Sequence, residues 1–198
     1  MKTQVPYLFI GLIFVLLFSC SSTESEAMKE AKIQQFNELK ELVEDKSFKF
    51  IAETAHPMQT YAVTQVTNAL LRNTGNSSGT IFLTGRGDYI KVMKDTVSAE
   101  LSYFGEVRFV GSIDPSDSGI NFDEESLNFT TTENEKKKTL NLEFDVNSKT
   151  DRYNVIMQIY PSKRTNVIIN SSKRTSIRYG GKIVRLEGQE KTSKKKTL

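Results

Sequence analysis

Histidine and cysteine occur once each in this chain, and the surroundings of the groups that could do chemistry argue against each chemistry in turn. His56 is the single histidine and stands directly before Pro57. A Ser-His-Asp triad needs a nucleophile and an acid aligned on the imidazole, and nothing around His56 has the strand–elbow–helix form that exposes a nucleophilic serine. Zinc would need further nitrogen, sulfur or carboxylate ligands beside that ring, so no metal and no cofactor are expected. Asp114, Asp117, Asp123, Glu124 and Glu125 gather in "DPSDSGINFDEE". Acid-rich loops can hold calcium, but this spacing is not that of an EF-hand, and a solvated turn explains it. "GRGDYI" from Gly85 lacks the third glycine of a dinucleotide loop, and a strand-linking turn accounts for its glycines and aspartate. Lys136–Lys138 and Lys194–Lys196 are short basic runs in a chain of net charge only +3. Nucleic-acid binding calls for a larger, clustered excess. The expectation is therefore a protein that is not an enzyme.

Cys20 is the one side chain whose position predicts a chemical event. It is the only cysteine in 198 residues, so no internal disulfide can form. Before it runs "YLFIGLIFVLLF", Tyr7–Phe18, with Lys2 as a lone positive flank. A membrane-spanning helix needs about 20 apolar residues, whereas the apolar core of a signal peptide takes about 7–15. "LFSC" then stands at the cleavage position and resembles the bacterial lipobox, with Leu17, Ser19 and Cys20 on pattern and Phe18 bulkier than the pattern prefers. That resemblance implies a lipoprotein signal peptide over 1–19, cleavage before Cys20, and acylation of its thiol and amine. An exported free thiol is a liability that acylation removes. Several acyl chains, at about 0.8 kcal/mol per buried methylene, would hold the protein to a membrane. Losing Lys2 leaves 26 bases against 24 acids, a nearly neutral mature chain.

The elements that must carry everything else follow from periodicity. Residues 20–26 are small and polar, a tether. Ala27–Lys46 reads as an amphipathic helix, with Ile33, Phe36, Leu39, Leu42 and Val43 on one stripe. From Ser47 the period falls to two, and 47–188 reads as a β-domain. Phe48, Phe50 and Ala52 alternate with polar residues. Tyr61–Leu71 is β-branched and aromatic enough to predict a strand, and Asn73–Gly79 a loop. Val97, Ala99, Leu101 and Tyr103 share a face, and Val110–Phe122 is the longest irregular stretch. Leu140, Leu142, Phe144 and Val146 alternate strictly, as do Tyr153, Val155, Met157 and Ile159, with turns at "NSKTD", "PSKR" and "SSKR". Strands at such regular spacing predict an antiparallel meander closed as a sandwich or barrel. Residues 189–198 form a basic tail expected to be disordered.

"FKFIAETAHP", "ELSYFGEV", "GINF" and "INSSKRTSIRYGGKI" occur in that order. Together they resemble an uncharacterised family of Bacteroidota lipoproteins, domain of unknown function 4251, over about residues 46–186. Ser102 departs from the proline that the family often has before its "YFG". The resemblance implies a mainly β fold, a small antiparallel β-barrel or lipocalin-like meander behind the N-terminal helix. It implies no catalytic residues.

From the residues themselves, Tyr103, Phe104 and Gly105 predict an aromatic strand end followed by a turn or bulge. Gly180-Gly181 predicts a bulge or a close backbone approach. Arg174 beside a turn predicts carbonyl capping or a carboxylate pair. Tyr103, Phe104, Arg174 and Tyr179 are the candidate contacts for a ligand or partner. The expected function is a lipid-anchored cell-envelope protein with a non-enzymatic binding or structural β-domain. The membrane would be engaged through lipid on Cys20, and the other partner would be a protein or a small apolar ligand. The expected location is the outer membrane facing the periplasm, with the cell surface as the alternative. The competing readings are a lipocalin-like carrier with a hollow interior and an envelope hydrolase.

Overall fold

The computed structural model describes residues 26–108, 119–149 and 151–186. The expected signal peptide, Cys20, the tether up to Ser25 and the basic tail from 189 lie outside the described residues. The chain divides into two compact units after Ile33. The first contributes to the described residues only the opening of helix α1 (Glu26–Glu44). There Met28 and Ile33 are exposed, so Ile33 does not belong to the buried stripe.

The second unit holds the rest of α1 and the sheet. Phe36, Leu39, Leu42 and Val43 recur at helical spacing and are all buried. Lys40 and Lys138 lie over the Phe36 ring, and Lys40 pairs with Glu133. The helix ends at Glu44, two residues short of the expected boundary, and Lys46 turns the chain with φ 44°.

Period-two alternation yields most of the strands where it predicts them, but Gly119–Glu125, where an irregular stretch and an acidic turn were expected, is a strand as well. The strands are β1 (Ser47–Pro57), β2 (Ile81–Phe82), β3 (Tyr89–Met93), β4 (Thr96–Ser102), β5 (Gly119–Glu125), β6 (Leu127–Asn134), β7 (Thr139–Asn147), β8 (Arg152–Ile159), β9 (Arg164–Ser171) and β10 (Ile177–Arg185). Tyr61–Leu71 is not a strand but helix α2, between β1 and β2. Among its described side chains, Thr64, Thr67 and Leu71 are the less exposed, at spacings of three and four. His56 lies in β1, next to its end at Pro57. Strand β6, which carries "TTTEN" and little buried surface, has no alternating apolar face to announce it.

All pairings are antiparallel, in the order β5-β4-β3-β1-β10-β9-β8-β7-β6, with β2 on β1. The first strand thus sits in the middle, flanked by the last strand and by β3. One residue, Ser126, separates the two edge strands β5 and β6 in the chain, and the sheet curls into a nearly closed barrel. Across the interior the Phe122 and Tyr153 rings meet at 5.4 Å.

The curl needs a bulge in β1 between Ala52 and Thr54, opposite Gly180-Gly181. A Cβ on Gly181 would sit 2.0 Å from the Ile51 carbonyl oxygen, so only glycine lets the two backbones come this close. The interior is filled. Phe48, Phe50, Phe144, Tyr153, Met157 and Tyr179 are buried in one continuous apolar cluster with the aliphatic residues of β3, β4 and β7–β9.

Candidate functional site

Strand β4 ends at Ser102, and the chain beyond it is fastened to two neighbouring segments. Tyr103 Oη lies 3.0 Å from the Glu106 carbonyl oxygen and 2.9 Å from both Thr175 O and Thr175 Oγ1. The Glu106 amide donates to Thr175 Oγ1, and the Thr60 amide donates to Glu106 Oε1. Gln59 Nε2 donates to the Phe104 carbonyl at 2.9 Å. Gly105 is where the Tyr103 ring folds back: a Cβ there would meet Tyr103 Oη at 2.3 Å. Burial raises the Tyr103 phenol above its ordinary value, against the opposing Thr175 hydrogen bond and the Arg174 charge.

Arg174 fills the other side of this end of the barrel. Its Nη1 donates to the Gly119 carbonyl at 2.8 Å, its Nε lies 3.8 Å from Asp151 Oδ2, and its guanidinium lies 5.2 Å from the Tyr103 ring centre. Asp151 is itself buried and takes further hydrogen bonds from Ser171 Oγ, Ser172 Oγ and the Arg152 amide. Tyr179 is fully buried, and its hydroxyl donates to the Ser102 carbonyl at 2.9 Å. Burial holds its phenol well above the ordinary range, and nearby Asp88 adds to the effect. The four residues singled out by sequence are therefore drawn to one end of the barrel. Arg174 and Tyr179 sit within its framework, and Tyr103 and Phe104 reach its surface.

That surface holds a cavity of about 390 Å³, open to solvent. Tyr103 and Phe104 form its aromatic wall, and Arg86, Asp88, Glu100 and Asn121 bring polar groups to it. Arg86 and Asp88 belong to a turn in which Gly85 and Gly87 take φ 84° and 90°, conformations that glycine adopts without cost. Arg86 is exposed and its guanidinium lies 5.9 Å from the Phe104 ring centre. Asp88 is only 5% exposed. Its Oδ1 accepts the Ser102 amide, a bond that a proline at 102 could not donate. Its Oδ2 is buried with no hydrogen-bond partner among the described residues. Glu100 and Asn121 face each other across the β4–β5 pairing. Sequence reasoning passed over these four polar residues. They come from three separate segments, and only the two glycines around Arg86 signalled a shaped turn.

His56 lies elsewhere, with both ring nitrogens engaged. Nδ1 is 2.9 Å from the Gly79 carbonyl and 3.2 Å from Thr80 Oγ1, and Nε2 is 3.1 Å from Thr54 Oγ1. Gly75–Gly79, "GNSSG", has the spacing of a nucleophile elbow but follows a helix and precedes a strand, the reverse of the required order. Ser77 Oγ there accepts the Thr80 amide. Among the described residues no three histidine, cysteine or acidic side chains cluster as metal ligands, and no helix is long and apolar enough to cross a membrane.

The fold and the cavity define a nearly closed antiparallel β-barrel domain with a polar, aromatic-walled hollow at one end. The chain belongs to the DUF4251 family, described as a domain of unknown function, whose model matches residues 30–183. It is similar in fold to a DUF4251 family protein from Bacteroides eggerthii DSM 20697, known from a crystal structure at 1.95 Å. The TM-score is 0.54 at 11% identity, over 79% of this chain and 91% of that one. No protein of curated function matches the chain.

Proposed function

We propose that this is a lipid-anchored cell-envelope protein whose β-barrel domain is a non-enzymatic binding module, with the cavity at Tyr103 and Phe104 as its site. The observation that carries the binding reading is the packing of the interior. A carrier of the lipocalin kind needs a connected apolar hollow. Here Phe48, Phe50, Phe144, Tyr153 and Tyr179 occupy the middle of the barrel, which favours recognition at the barrel end. Convergence of His56, Arg174 and an acid in one pocket would favour the hydrolase alternative. Instead His56 is spent on Gly79, Thr54 and Thr80, and Arg174 on Gly119 and Asp151.

The anchored reading rests on Leu17–Cys20 and the apolar block before it. It puts the domain on a membrane of the envelope, the periplasmic face of the outer membrane by default and the cell surface as the alternative. Intact-mass spectrometry of membrane-extracted protein, wild type beside Cys20→Ser, tests it. A mature chain beginning at Cys20 with a diacyl or triacyl increment is expected, and an unmodified chain would overturn the anchor. Titration with a fluorescent fatty acid separates the module from the carrier. No saturable uptake is expected, whereas one-to-one uptake would return the carrier reading.

A further inference from the structure

We propose that the cavity at the end of the barrel takes a small zwitterion, a free amino acid or the end of a short peptide. Glu100 would hold the ammonium and Arg86 the carboxylate. This rests on the reading of the cavity as the domain's binding site and specifies the ligand for it.

Charge points to that class of ligand. Arg86 and Glu100 line the cavity with opposite signs, and neither has an ion-pair partner among the described residues. A ligand that excludes water from such a wall must answer both charges, because an ion left buried and unpaired is costly. A neutral polyol would answer neither charge, and an ion of one sign only half of them. A zwitterion answers both with charge-assisted hydrogen bonds.

Asp88 supports the same wall from behind: it is nine-tenths buried, its Oδ2 is shut off from the cavity, and its Oδ1 accepts the Ser102 amide just before the two rings.

Between these groups, Tyr103 and Phe104 offer ring surface. Tyr103 is held by Glu106 and Thr175, and Phe104 has its carbonyl tied to Gln59. A side chain or methylene run fits there, and an ammonium gains from a ring face nearby. A volume of about 390 Å³ lies at the small end of the range for small-molecule sites, which limits the ligand to a few residues.

The test is isothermal titration of the full-length, detergent-extracted protein with L-lysine, L-phenylalanine and L-alanyl-L-alanine, each beside its N-acetylated and its amidated form. D-glucose and N-acetylglucosamine serve as neutral probes. At least one free zwitterion is expected to bind one to one, with each capped form at least tenfold weaker. Glu100→Gln should remove the penalty for N-acetylation and Arg86→Gln the penalty for amidation. Both residues are exposed, so both variants should keep the wild-type melting temperature. Failure of all three zwitterions, or equal binding of capped and free forms, would overturn the proposal. Binding of a neutral sugar that weakens in both variants would also overturn it, while leaving the cavity as the binding site. One-to-one uptake of the fluorescent fatty acid would instead remove the cavity reading on which the proposal stands.

Discussion

Tyr179→Phe is the substitution whose outcome the structure specifies most closely, because it deletes one hydroxyl and keeps the ring in the core. The hydroxyl is fully buried and donates to Ser102 at 2.9 Å. A hydrogen bond of this kind contributes about 1 kcal/mol net, and a buried acceptor left short of a donor adds to the loss, so about 1–2 kcal/mol is expected. For a domain of this size that lowers Tm by roughly 2–8 °C near neutral pH.

The second half of this prediction comes from ionisation. Burial raises the Tyr179 phenol well above 10.0, its ordinary value. Its contribution to stability is therefore fully present below pH 10. It is lost as pH rises from there toward the folded-state value, because the unfolded chain ionises first. The loss runs at about 1.4 kcal/mol per pH unit. Phenylalanine has no such term, so the gap between wild type and variant should close about one unit above pH 10. Urea unfolding followed by circular dichroism, from pH 7 to 11.5, measures both parts. A gap that stays constant across that range would refute the argument that the fold keeps this phenol neutral. A Tm unchanged at pH 7 would refute the role of the hydroxyl.

Gly181→Ala should cost about 3 kcal/mol or abolish folding, since its Cβ would lie 2.0 Å from a backbone oxygen that cannot swing aside; urea midpoints measure it, and a neutral result would mean that the β1 bulge is misplaced. Leu39→Ala should cost about 2–5 kcal/mol, because a fully buried leucine leaves a cavity where α1 meets the domain; a loss below about 1 kcal/mol would show that the helix is not part of the core. Asp145 is held below its ordinary value by the Asn128 and Asn154 side-chain amides. Its small contribution should be present above about pH 4 and fade as pH falls through the lowered value. Asp145→Asn should therefore flatten the acid limb of a Tm-against-pH curve, and an unchanged limb would count against those two bonds.

The candidate site was half legible. Aromatic pairs beside a glycine are rare enough to mark a built corner, and Tyr103, Phe104 and Gly105 proved to be one. Arg174 was read as a capper of carbonyls or a partner of a carboxylate, and it is both. Arg86, Asp88, Glu100 and Asn121 were not legible as a group, since charged residues on strands and turns look alike whether they face bulk water or a shared hollow. Tyr61–Leu71 was misread for a related reason. Its composition suits a strand, but composition is a weak guide where the adjacent strand offers no free place to pair. With β1 already flanked by β10, β3 and β2, the segment closes its backbone hydrogen bonds within itself, as a helix.

By itself the sequence determined the periods. Two-residue alternation fixes which side of β7 and β8 is buried, because a slip of one residue would expose Leu142 and Val155. Helical spacing does the same for Phe36, Leu39 and Val43, and the apolar block before Cys20 sets the expectation of export and acylation. These are local properties, fixed by backbone geometry. Only the tertiary structure decided the rest. It placed the first strand between β10 and β3, curled the sheet around a β1 bulge that Gly181 permits, and folded the polar β6 in as an edge. It also brought Arg86, Asp88, Glu100 and Asn121 around one cavity. Each of these depends on contacts between residues far apart in the chain, and the loop closures that create them leave no periodic trace in the residues they join.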